Sequence, residues 1–241
     1  MKKMFVFDYD GTYYRNPLEL KENMNLMNYV RSQGHLLVIA TGRSYESFMK
    51  EANRFSLNYD YLILASGALV LDQEKVIRSY PMTMDLVIGL DQLLEPLKKR
   101  CHSHLFIDEF KNSSVLSELD QVIKMSYTLF KEEGSFEVRA LINDYTKEKL
   151  KTYVVSGETQ DYIEIISSDT NKAVAIKVLL DHLDEDYRVI TAGDSENDLE
   201  MLEAFDGYLM SNHDKRLETK GLKVIDSIEA IINIELKNQS K

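Results

Sequence analysis

The chain has 241 residues, 44% of them hydrophobic, which is enough to bury one large core or two moderate ones and too apolar for a disordered chain. Its formal net charge of −11 disfavours a phosphate backbone as partner, so no nucleic acid is expected. One cysteine, a short amino-terminal apolar run and no long uncharged apolar stretch exclude an internal disulfide, a secretory signal and a membrane span, and predict a cytoplasmic protein.

The first part alternates strand and helix patterns. Met4 to Phe7 reads as a buried strand. Leu18 to Gln33 carries Leu20, Met24, Met27 and Val30 at helical spacing and stops at Gly34. Leu36 to Ala40 is a second strand, Ser44 to Phe55 a capped helix, and Tyr61 to Leu64 a third strand. Ala68 to Leu71 and Val76 to Tyr80 read as a hairpin. Between about residues 81 and 167 the rhythm changes. Met84 to Arg100 and Glu118 to Lys131 are expected to be helical, with a short strand at His104 to Ile107. Phe136 to Ile142 and Tyr162 to Ile166 are expected as strands flanking a helix from Thr146 to about Val154. The alternation then resumes. Helices are predicted at Lys172 to Leu183, Glu196 to Phe205, Lys215 to Lys220 and Ser227 to Leu236. Strands are predicted at Arg188 to Thr191, Tyr208 to Met210 and Lys223 to Ile225. This order predicts an α/β chain: a doubly wound, Rossmann-like parallel sheet core from residues 1–80 and 168–241, with an inserted α+β domain at 81–167.

Four short elements stand at the ends of strands or the start of a helix. They are Asp8-Tyr9-Asp10-Gly11-Thr12, Thr41-Gly42-Arg43-Ser44, Lys172, and Gly193-Asp194-Ser195-Glu196-Asn197-Asp198. Taken singly, each is an ordinary turn, helix cap or solvated lysine. Taken together, they put two sets of acids, a hydroxyl and a cation on the carboxyl-terminal rim of one sheet, where parallel sheets bind ligands. Acids that converge repel unless a cation lies between them, which points to a divalent metal. Cys101-His102-x-His104 matches no established ligand spacing and reads as a strand with alternating faces. Asn212 and His213 follow a strand end, where they line the rim or cap a turn.

In order and content, these four elements resemble the haloacid dehalogenase-like phosphatase superfamily, and the last block with Met201-Leu202 resembles its Cof-type sugar-phosphatase branch. Two positions depart from the pattern: Ser66-Gly67-Ala68 stands where relatives commonly have Asn-Gly-Ala, and Tyr9 where many have leucine. The resemblance implies that Asp8 is the nucleophile of an aspartyl-phosphate mechanism and Asp10 the general acid and base, with a raised pKa. It implies Mg²⁺ as cofactor, held by the Asp8 carboxylate, the Asp10 carbonyl and Asp194. Thr41, Gly42, Lys172, Asn197 and the Tyr9 backbone would bind phosphate, and Asp198 would orient Lys172 or a metal-bound water. Arg43 either touches substrate or braces the junction with the inserted domain, which acts as a cap. The expected activity is hydrolysis of a small phosphorylated metabolite, a sugar phosphate or similar compound. Two other readings are a phosphomutase or phosphotransferase on the same intermediate, and a non-catalytic phosphate-binding regulator.

Overall fold

The structure is a computed structural model that describes residues 1–131, 134–157 and 159–237. Its larger sheet has eight strands: β1 (Lys3–Phe7), β2 (Leu36–Ala40), β3 (Tyr61–Leu64), β4 (Leu69–Asp72), β5 (Lys75–Ser79), β11 (Arg188–Gly193), β12 (Tyr208–Met210) and β13 (Lys223–Ile225). Their order is β13-β12-β11-β1-β2-β3-β4-β5. The pairs from β13 to β3 are parallel, and the β4–β5 hairpin adds two antiparallel strands at one edge. Side chains alternate between two cores. Phe5, Phe7, Leu37 and Ile39 enter one, Met4, Val6, Val38 and Ala40 the other. A strand apolar on both faces must be covered on both, which is why these central strands read as continuous apolar runs.

Helices α1 (Pro17–Ser32), α2 (Tyr45–Phe55), α6 (Lys172–His182), α7 (Leu199–Ala204) and α8 (Ile228–Lys237) supply that cover. Asn16 caps α1 through Glu19 N, and Ser44 caps α2 through Ser47 N. α1 and α2 thus start next to the rim elements that precede them.

Between β5 and α6 the chain builds a second, antiparallel sheet. It consists of β6 (Ser103–Ile107), β7 (Asn112–Ser113), β8 (Lys124–Phe130), β9 (Leu150–Ser156) and β10 (Gln160–Ser167), ordered β7-β6-β8-β10-β9. Helices α3 (Met84–Leu93), α4 (Glu95–Lys98) and α5 (Ser135–Thr146) belong to the same stretch. Val87, Leu90, Ile142, Phe106, Met125 and Leu129 share a separate core there.

This stretch corrects the expectations drawn from the sequence. The helix expected over Met84 to Arg100 divides at Leu94, because Pro96 fits only the first turn of a new helix. Half of the helix expected over Glu118 to Lys131 is strand β8, whose Met125, Tyr127 and Leu129 alternate inward. Phe136 to Ile142 lies in helix α5, where Ile142 and Thr146 bury one stripe. The helix expected at Thr146 to Val154 is largely strand β9, consistent with its Thr, Tyr and paired Val residues.

The two sheets touch along the rim. Arg139 pairs with Glu196 at 2.7 Å, Lys151 with Glu200 at 3.0 Å, and the Val154 N–H donates to Glu196 Oε2 at 2.7 Å. Tyr45 of α2 meets Phe110 edge-on, with ring centroids 4.9 Å apart. Among the described residues no helix is long and apolar enough to cross a membrane.

Candidate active site

The parallel register of β1 with β11 pairs Phe7 with Ala192, and the Asp8 N–H donates to Ala192 O at 3.0 Å. The two chains therefore leave the sheet side by side, and Asp8 and Asp194 emerge as neighbours. Gly11 makes this approach possible. It sits at φ +87°, and a Cβ there would lie 2.4 Å from Asp194 Oδ2. Thr12 Oγ1 donates to Asp194 Oδ1 at 2.8 Å and fixes that side chain. Asp198 Oδ2 accepts the N–H groups of Asp194 at 3.1 Å and Ser195 at 3.0 Å, an N-terminal box that closes the 193–198 turn.

Lys172 is the first residue of α6 and is fully buried. Its Nζ lies 2.7 Å from Asp8 Oδ1 and 2.6 Å from Asp198 Oδ1. Oxygens of Asp8, Asp194 and Asp198 fall within 4.8 Å of one another, the one such group of potential metal ligands among the described residues. Of Cys101, His102 and His104, which the sequence reading takes as one alternating strand, only His104 lies in β6; Cys101 and His102 precede it. Cys101 Sγ contacts Lys98 O, and the His104 ring stacks on Tyr127.

Burial pushes the Asp8 carboxyl well above the usual range; Lys172 opposes this, while Asp198 and Asp194 add to it. Burial, with the Asp198 charge, pushes Asp194 up to about 7, against the hydrogen bond from Thr12. Burial works against the Lys172 ammonium, but Asp198 and Asp8 outweigh it and hold its pKa above the ordinary value. A charge imbalance adds to the effect of burial. Three ionised carboxylates facing one ammonium would leave two negative charges in a buried place. Asp8 Oδ2 is buried and has no hydrogen-bond partner. An all-oxygen donor set with that excess charge and an orphaned oxygen fits a hard divalent cation.

The other residues singled out in the sequence take these positions. Thr41 is buried at the end of β2, and its Oγ1 accepts the Arg43 N–H at 3.1 Å. Gly42 stands at the head of the same turn, with its carbonyl accepting from Lys124 Nζ at 2.6 Å. The Tyr9 ring leaves the site and packs between Tyr14 and Phe48, so only its backbone faces the acids' turn. The Asp10 carboxylate is held by Arg43 through two bonds of 2.7 and 2.8 Å. Asn197 is buried and donates to Glu164 Oε2 at 2.9 Å. Asn212 Nδ2 donates to Gly11 O at 2.8 Å, on the rim. His213 Nδ1 contacts Met210 O at 2.6 Å, in its own turn. Sequence reasoning missed the Arg43–Asp10 pair and the buried Lys124 and Glu164. The only signal for Glu164 was a charge inside the apolar run Ile163 to Ile166.

The fold is that of solved haloacid dehalogenase-like hydrolases: a HAD/COF-like hydrolase of Plasmodium vivax superposes with a TM-score of 0.76 at 19% identity, covering 94% of this chain and 90% of the other. Within them, the family described as sucrose-6F-phosphate phosphohydrolase matches residues 1–233, and the chain belongs to that family. It is 25% identical over 225 residues to the 5-amino-6-(5-phospho-D-ribitylamino)uracil phosphatase of Bacillus subtilis, covering 83% of each chain. It is 27% identical over 225 residues to an HMP-PP phosphatase of Yersinia pseudotuberculosis, covering 84% of this chain and 81% of the relative. The sucrose-phosphatase of Synechocystis, solved with sucrose and phosphate, superposes with a TM-score of 0.70 at 20% identity, covering 98% and 99% of the two chains.

Proposed function

We propose that this phosphatase hydrolyses a small phosphorylated metabolite, a sugar phosphate or similar ester, with Mg²⁺ and through an aspartyl-phosphate on Asp8. The observation that carries the reading is the Asp8 carboxylate itself. One oxygen is clamped by Lys172 and the other is buried and unpartnered at the carboxyl end of β1. A carboxylate so held has one oxygen fixed and one left to react.

In this reading an Asp8 oxygen bonds to phosphorus while the ester oxygen leaves with a proton from Asp10. Water then attacks the same phosphorus, Asp10 takes a proton from it, and Asp8 and phosphate are released. Asp10 can do this only after exchanging its bonds to Arg43 for the substrate. Lys172 offsets the phosphoryl charge, and the Thr41 hydroxyl, the Gly42 N–H and Asn197 hold phosphate oxygens. The Asp8 carboxylate, the Asp10 carbonyl and Asp194 would hold Mg²⁺, which when bound cancels the charge between phosphate and nucleophile. Residues 81–167 act as the cap: they exclude water and choose the leaving group. The named relatives act on different phosphorylated compounds, which agrees with a constant rim and a variable cap.

The test is hydrolysis of p-nitrophenyl phosphate with and without Mg²⁺, followed by a panel of sugar, nucleotide and vitamin phosphates. Free phosphate released only with Mg²⁺ and intact Asp8 supports the reading. Transfer to a sugar acceptor without free phosphate would replace it with a phosphotransferase.

A further inference from the structure

The second sheet sends two charged side chains into the rim of the first. Lys124 of β8 and Glu164 of β10 form a buried ion pair at 2.5 Å, their side chains 2% and 10% exposed. Strand pairing sets Ile165 beside Met125, so Lys124 and Glu164 lie on adjacent strands of one sheet. Their partners belong to the other sheet. Lys124 Nζ donates to Gly42 O at 2.6 Å and reaches Ser66 Oγ at 3.4 Å. Glu164 Oε2 accepts from Ser66 Oγ and, at 2.9 Å, from Asn197 Nδ2. Ser66, at φ 60°, returns its own N–H to Thr41 O at 3.1 Å. A Cβ on Gly42 would lie 2.5 Å from Glu164 Oε1, so only glycine leaves room for this pair. Burial would raise the Glu164 pKa, but Lys124, Ser66 and Asn197 outweigh it and hold the carboxylate ionised.

We propose that Lys124 and Glu164 are positioning residues for the phosphate site: they fix the Asn197 amide and the Thr41–Gly42 turn, so the phosphate-binding set is complete only when the second sheet is docked. The inference rests on the reading of Thr41, Gly42 and Asn197 as phosphate contacts given above. A free amide on Asn197 would rotate, and an unbound Gly42 carbonyl would free the Gly42–Arg43 peptide, whose N–H donates to Thr41 Oγ1, while the Thr41–Gly42 peptide that carries the Gly42 N–H is held through Thr41 O by Ser66. Fixing both from the second sheet couples its docking to phosphate affinity without any contact between the pair and the substrate. Outer groups of this kind are worth about ten- to a hundredfold where they orient ligands of a site.

The experiment uses the full chain with Mg²⁺, p-nitrophenyl phosphate as substrate and inorganic phosphate as competing inhibitor. Folding is checked by circular dichroism and thermal melting. Glu164→Gln keeps the shape and removes the charge, and should raise the Ki of phosphate about tenfold and lower kcat/KM about ten- to a hundredfold. Lys124→Met/Glu164→Gln cancels the charge imbalance, so it should regain thermal stability but not phosphate affinity. Recovery of both would mean that the pair only fastens the sheets, and would overturn the inference. If Glu164→Gln does not fold, Ser66→Ala decides, since it leaves the ion pair whole: a raised Ki supports the inference and an unchanged Ki overturns it. An active wild type with unaltered variants sinks only the positioning role. A wild type with neither turnover nor phosphate binding sinks the functional reading as well.

Discussion

Replacing Lys172 with Met keeps an unbranched side chain of similar length and removes its charge. Asp8 and Asp198 then lose an ammonium at 2.7 and 2.6 Å, in a place closed to water. One further carboxyl must bind a proton for the chain to stay folded. At 1.36 kcal/mol per pH unit above a reference near 3.9, that uptake costs about 5 kcal/mol at pH 7.5 and about 2 kcal/mol at pH 5.5. The larger figure matches the roughly 3–5 kcal/mol typical of breaking a buried ion pair. The sign follows from linkage. In the variant the folded carboxyl has a pKa above its unfolded value, so the penalty is absent at low pH and grows as pH rises. The wild-type Lys172 pKa is raised, so its contribution is fully present at both pH values. Urea denaturation of both proteins with EDTA measures the difference. The loss at pH 7.5 should exceed the loss at pH 5.5 by about 3 kcal/mol. Equal losses would refute the electrostatic argument and leave packing alone as the cause.

Asp8→Asn removes the proposed nucleophile and should lower kcat by several orders of magnitude with the melting temperature preserved, as read by phosphate release and a thermal melt. At the proposed site, Mg²⁺ would have to displace protons from Asp8 and Asp194, whose pKa values burial raises, Asp194 to about 7. Its stabilisation of the protein should therefore be larger at pH 8 than at pH 6, with up to about a tenfold affinity change per pH unit for each proton displaced; calorimetric melts at the two pH values check this. Gly42→Ala forces a methyl against a Glu164 side chain that Lys124 holds in place, and should cost about 1–3 kcal/mol in a denaturation experiment. Glu235→Ala strips Lys3 of its buried carboxylate and should cost about 3–5 kcal/mol while leaving kcat per folded molecule unchanged, because Glu235 contacts Lys3, Arg188 and Tyr208 and no residue of the site.

The larger sheet was readable because its strands are buried on both faces and end in polar turns, a contrast visible within a few residues of sequence. Asp8 and Asp194 could be foreseen as neighbours because each follows an apolar strand run, whereas Lys172, at the start of a helix, was placed with them by the family resemblance. The second sheet was harder. In β8 the alternation of Met125, Tyr127 and Leu129 begins with Lys124, which looks solvated until its partner 40 residues away is known. The α5 segment mixes Val, Leu and Ile with charged residues, so a stretch of seven fits a strand template as well as a helical one. Arg43 and Asp10 are 33 residues apart on adjacent strand ends. Neither residue carries a sign of its partner, so their pairing emerges only once β1 and β2 are aligned.

The edge-on contact between Tyr45 and Phe110 bridges the two halves of the fold, and Phe110 is partly open to solvent. Fourteen tyrosines and no tryptophan leave the ultraviolet emission of this chain without an indole. A tryptophan introduced at position 110 would stand as a lone optical reporter on that seam. Its wavelength would follow wetting of the gap, and rapid mixing with ligand would test whether that seam responds to binding, without any attached dye.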